Sequence, residues 1–148
     1  MEQQQMIRFA LAAILGFSCA AAGSFAQERA PPDVVTEIAR ATRNAAGQTI
    51  VLPQGPLEVV ASIYDLAPDA RLPQHKHPFQ RYAYVLEGEL LVQQADSTSR
   101  VYHPGEFIIE SVDRWHFGAT VGGVPAKLLV IDQLPPGGEV TVTRPAAH

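Results

Sequence analysis

An all-β sandwich or barrel is the fold class that the sequence predicts, and three observations predict it. Turn-forming clusters recur at short intervals: Gly47, Pro53-Gln54-Gly55-Pro56, Pro68-Asp69, Gly88, Ala95-Asp96-Ser97, Pro104-Gly105, Gly122-Gly123 and Pro135-Pro136-Gly137-Gly138. The runs between them are short and rich in Val, Ile, Leu and Tyr, a strand composition. Within one of these runs, Pro73-Gln74-His75-Lys76-His77-Pro78 holds two of the five histidines two residues apart. In an extended segment, side chains at i and i+2 share a face, so His75 and His77 present their imidazoles side by side.

The chain of 148 residues, 47% apolar, suits one domain with a single core. Its formal charge of −4 and its singly scattered basic residues give no footprint for nucleic acid or an anionic membrane. A small-molecule ligand is the expected partner.

Residues 1–26 read as a cleaved signal peptide. Arg8 precedes the apolar stretch Phe9 to Phe17, and small residues follow it, ending in Ser24-Phe25-Ala26. The stretch is shorter than the roughly 20 residues of a membrane span. Cys19, the one cysteine, offers a lipoprotein alternative, but Phe17 sits where a lipobox takes a small residue. Cleavage leaves a mature chain from Gln27 without cysteine, exported to the periplasm or secreted, and free of the membrane.

Residues 27–46 form an N-terminal arm in which neither period wins, since Val34, Ile38 and Ala41 have helical spacing in an otherwise unpatterned run. Residues 47–134 form the barrel, with strands expected at Thr49–Leu52, Leu57–Leu66, Arg81–Leu86, Glu89–Gln94, Arg100–Tyr102, Glu106–Ile109, Trp115–Ala119 and Ala126–Gln133. Residues 135–148, rich in proline and glycine, are expected to fray as a flexible tail. The apolar run Leu128-Leu129-Val130-Ile131 suits either a buried strand or a homodimer interface.

The stretch from Pro68 to Pro78, followed by Tyr82-Ala83-Tyr84-Val85-Leu86-Glu87-Gly88-Glu89-Leu90, resembles the first motif of the cupin superfamily. Gly105-Glu106-Phe107-Ile108-Ile109-Glu110, leading to His116, resembles the second. The resemblance spans about Gln48 to Asp132. It implies a double-stranded β-helix, or jelly roll, enclosing a divalent transition metal (Fe, Mn, Ni, Cu or Zn). In the family that ion is bound by the two motif histidines, a glutamate four residues after the second, and the later histidine. His75, His77 and His116 match, but the glutamate position is Arg81, and Ser111 and Asp113 replace the usual proline and glycine of the second motif.

Strand alternation puts Arg81 on the face of His75 and His77, where a guanidinium would repel a dication. Either Arg81 swings away or grips an anionic ligand beside three histidines, or another carboxylate completes the site. Glu110 is the candidate. Its place in the second motif often faces the cavity in cupins, whereas plain alternation puts Phe107 and Ile109 in the core and Glu110 opposite. Gln80 falls on the far face. Tyr82, Tyr84 and Trp115 read as core or cavity lining, with substrate contact, together with Arg81, as the alternative role. Three functions follow: a metal-dependent oxygenase or isomerase, a binding module for a small anion or sugar-like ligand, and a structural cupin with a relict site.

Overall fold

The computed structural model describes residues 34–145, so the expected signal peptide and the first part of the arm lie outside the described residues. Among the described residues there are nine strands and no helix. In chain order they are β1 (Glu58–Leu66), β2 (His75–Lys76), β3 (Gln80–Glu87), β4 (Leu90–Gln94), β5 (Ser99–Tyr102), β6 (Phe107–Ile109), β7 (His116–Thr120), β8 (Ala126–Leu134) and β9 (Val142–Thr143). One sheet has the order β1-β8-β3-β6 and the other β5-β4-β7-β2-β9. Apart from the β4–β5 hairpin, each successive strand crosses to the opposite sheet, so the chain winds around a shared interior as a jelly roll.

Period-two patterning builds that interior. Along β8, Ala126, Leu128, Val130, Asp132 and Leu134 are buried and the residues between them only half-buried. On β3 Arg81, Ala83 and Val85 are buried on the inward face, while Tyr82 and Tyr84 lie on the opposite side with the buried Gln80. Ala83, Val85, Leu90, Val92, Tyr102, Ile108, Leu128 and Val130 form one cluster with Tyr64 and Leu66 against it. Each large aliphatic side chain so placed contributes about 1.5–3 kcal/mol. Of the apolar run in β8, only Leu129 and Ile131 point outward.

Two elements differ from expectation. Thr49–Leu52 is not a strand: Thr49 makes a single bridge to Arg43, and Val51 and Leu52 are exposed. The Asn44 carboxamide accepts from the backbone of Ala46 and Gln48, and Gln48 donates to the Val112 carbonyl. These local bonds fold the segment into a turn and leave its backbone without a sheet partner. The stretch after Pro135, expected to fray, supplies β9, which pairs with β2 at Thr143↔His75 and Val142↔Lys76.

The turn that carries the chain from β3 across to β4 in the other sheet depends on Gly88, which has φ +70° and whose missing Cβ would overlap the Pro125 carbonyl. A left-handed backbone alone costs an L-residue about 1–2 kcal/mol. Gly88→Ala is therefore expected to lower the thermal midpoint by at least about 5 °C, as followed by circular dichroism. An unchanged midpoint would show that this turn is not tight.

Candidate metal centre

Pairing brings the three histidines together. His75 on β2 lies directly opposite His116 on β7, and directly opposed residues present their side chains on one face. His77, two residues on, shares that face and is held by a bridge to Val112. The ring centroids are 5.0 Å apart for His75 and His77, 4.5 Å for His75 and His116, and 5.0 Å for His77 and His116. One nitrogen of each lies within 4.8 Å of the others, and all three residues are buried.

Backbone carbonyls set the tautomers. His75 Nδ1 lies 2.8 Å from the Pro73 oxygen, His77 Nδ1 3.1 Å from that of Val140 and His116 Nδ1 2.9 Å from that of Arg114. A carbonyl can only accept, so each Nδ1 carries the proton and each Nε2 keeps a lone pair. Burial pushes the His77 pKa down to about 2, with the Arg81 charge adding to it, and burial lowers those of His75 and His116. The imidazoles are thus neutral at pH 7, the state a metal ligand requires.

Glu110 joins them. Its carboxylate Oε2 is 3.5 Å from His116 Nε2, yet the contact is no ion pair, because the imidazole is neutral and burial raises the Glu110 pKa. His77 Nε2, His116 Nε2 and Glu110 Oε2 are all buried without a donor. The alternation expected for this strand is reversed. Ile108 is 0% exposed and Glu110 6%, whereas Phe107 lies outside, its ring stacked on Tyr82 with centroids 5.8 Å apart. The reason is the register with β3, in which Ala83 faces Ile108. An inward Ala83 makes its neighbour inward too, and Glu110 follows two residues later, its amide bonded to the Arg81 carbonyl at 2.9 Å.

Arg81 points inward as alternation required, and it is neutralised. Nε donates to Asp132 Oδ1 at 2.7 Å and Nη2 to Oδ2 at 3.0 Å, with both side chains buried. Asp132 was legible and missed: it follows Leu128 and Val130 on the inward face of an apolar strand. Gln80, on the other face, donates to the carbonyls of Arg81 and Glu110 and ties β3 to the end of β6.

A cavity of about 140 Å³ opens beside the cluster, lined by Tyr64, Leu72, Pro73, His75, Arg81, Thr141 and Thr143. Larger clefts of about 330 and 390 Å³ contain no histidine. Of the four residues weighed as substrate contacts, only Arg81 reaches the histidine cavity. Tyr82 and Tyr84 lie on the outer face of their sheet, opposite the buried Arg81 and Ala83. Trp115 lines a separate surface cleft with Asp113 and Arg114, its ring 5.6 Å from Lys76 Nζ and from the Arg144 guanidinium carbon.

Residues 62–132 match the family profile for the cupin domain. Residues 62–132 therefore carry a cupin domain. No curated protein matches it in sequence. Among solved structures, this cupin is similar to an oxalate oxidase in complex with the substrate analogue glycolate, at 30% identity and a TM-score of 0.49, covering 57% of this chain and 45% of that one. It is also similar to the DMSP lyase DddQ from Ruegeria pomeroyi DSS-3, at 20% identity and a TM-score of 0.51, covering 57% and 42%. A sugar phosphate isomerase of the cupin superfamily from Silicibacter pomeroyi matches at 23% identity and a TM-score of 0.47, covering 53% and 52%. The match thus spans about half or less of each of these proteins, and the likeness below 25% identity is one of fold.

The residues that lead into β9 orient a histidine that the sequence alone assigned to no partner. Val140 supplies the carbonyl for His77 Nδ1, and Thr141 Oγ1 stands 3.4 Å from the same atom. Loss of a partner that orients a ligand typically weakens metal binding about 10–100-fold. A chain ending at Gly138 is expected to show a drop of that size in a metal titration. Unchanged affinity would mean that His77 holds its orientation without β9.

Proposed function

We propose that this cupin binds one divalent first-row transition metal through His75, His77, His116 and Glu110, and that it is an exported metal-dependent oxygenase or isomerase acting on a small molecule. The carrying observation is the convergence of buried acceptors with no donor among them. Neutral nitrogens and one carboxylate are a donor set for Fe, Mn, Ni, Cu or Zn. When bound, such an ion supplies a Lewis acid for a carbonyl or a redox partner for O2.

The chain's own part is to hold and to exclude. Nδ1 bonds to three carbonyls keep the lone pairs aimed inward, and Leu72 and Pro73 give the cavity an apolar wall. The Arg81–Asp132 pair stands where the family's glutamate would, and it leaves the carboxylate role to Glu110 from the neighbouring strand. The cavity offers no separate carboxylate or lysine as a general base, since its remaining polar residues are Tyr64, Arg81, Thr141 and Thr143. That observation favours the second reading, a binding module for a small anion, and oxygen uptake or isomer formation by the metal-loaded protein separates the two.

Metal analysis of the purified protein is expected to give one ion per chain. Glu110→Gln should weaken binding at least tenfold, a loss of about 1.4 kcal/mol. Metal at 100 times its dissociation constant should stabilise the fold by about 2.7 kcal/mol. No stoichiometric metal, and no thermal shift on adding it, would overturn the proposal.

Export is tested separately by intact mass. The mature protein is expected to begin at Gln27, and a mass for all 148 residues, or a lipid on Cys19, would overturn that assignment.

A further inference from the structure

Arg81 has donors left over. Asp132 takes the Nε and Nη2 side of the guanidinium, which uses two of five N–H groups. Among the described residues Nη1 makes no hydrogen bond and is not one of the buried unpartnered atoms, and Arg81 lines the cavity together with His75. The fork to Asp132 immobilises the group and spares a ligand the cost of ordering it. Tyr64 adds a wall, its ring centroid 5.6 Å from the guanidinium carbon.

We propose that the free edge of Arg81, Nη1 with the second N–H of Nη2, is a carboxylate subsite beside the metal centre, selecting a small monocarboxylate ligand. The inference rests on the metal centre proposed above. Three features define the ligand. The cavity of about 140 Å³ is less than half the smallest volume, about 300 Å³, usual for drug-sized ligands, so the acid has few carbons. A guanidinium edge matches the two oxygens of a carboxylate in one plane. A dication and Arg81 against Glu110 and Asp132 leave one positive charge, which one carboxylate cancels. Without the ion the same groups carry no surplus positive charge, so the metal and the carboxylate should each tighten the other.

The test uses full-length protein loaded with Co(II) in carboxylate-free buffer, with acetate titrated against the visible absorption of the ion. Acetate is expected to bind saturably, and at least tenfold more tightly than its neutral isostere acetamide. The paired variant Arg81→Gln with Asp132→Asn replaces a neutral ion pair by a neutral hydrogen-bonding pair. It should keep Co(II) affinity within a few-fold and lose at least tenfold in acetate affinity. Equal acetate binding by wild type and variant would overturn the subsite, because the carboxylate would then need only the ion. Should the variant not fold, the comparison of acetate with acetamide on wild type decides, and equal binding of the two overturns it. A wild type that binds no Co(II) brings down the metal centre and the subsite together. Co(II) binding with a spectrum indifferent to acetate brings down the subsite alone.

Discussion

His77 Nε2, His116 Nε2 and Glu110 Oε2 are buried with no donor to satisfy them, and the two sheets are built so that they stay that way. An acceptor left unpaired in the interior costs about 1–3 kcal/mol, so a site that gathers three of them favours an occupant that satisfies them. The surrounding structure does not relax to relieve them. The carbonyls of Pro73, Val140 and Arg114 hold the three Nδ1 protons outward, which prevents any ring from turning a donor toward its neighbours. A cation would relieve all of these atoms at once.

The same constraint accounts for the ion pair at the cavity edge. A lone guanidinium here would be an uncompensated charge next to a site that collects positive charge. Breaking a buried pair from one side typically costs about 3–5 kcal/mol, and Asp132, in register with Arg81 on adjacent strands, removes that penalty. Arg81 is therefore the cationic half of a neutral, buried ion pair.

Much of this was legible in the residues. The spacing of His75 and His77 gave a shared face, and turn residues gave an all-β chain, because both signals are local. Glu110 was harder, since the parity of a three-residue strand such as β6 comes from its register with β3, a non-local pairing. Asp132 was legible in principle, as the fourth inward position of an apolar strand, but an acid there makes sense only once Arg81 is seen beside it. β9 was hidden by the proline and glycine before it, which announce a turn and say nothing of what the chain does after turning. Trp115, Tyr82 and Tyr84 show the converse error: aromatics next to a motif need not face its cavity.

The position of β9 bears on when the site comes into being. Synthesis is vectorial, and domains tend to fold as their chain emerges, yet the acceptor for His77 is Val140, and Thr143 pairs with His75. Most of the barrel can therefore assemble before its ligands are fully aimed. Divalent ions bind a given donor set in an order set by the metal as well as by the protein, so selectivity in a cell leans on which ion is available. A centre completed late would take its ion from the compartment in which the chain completes its folding.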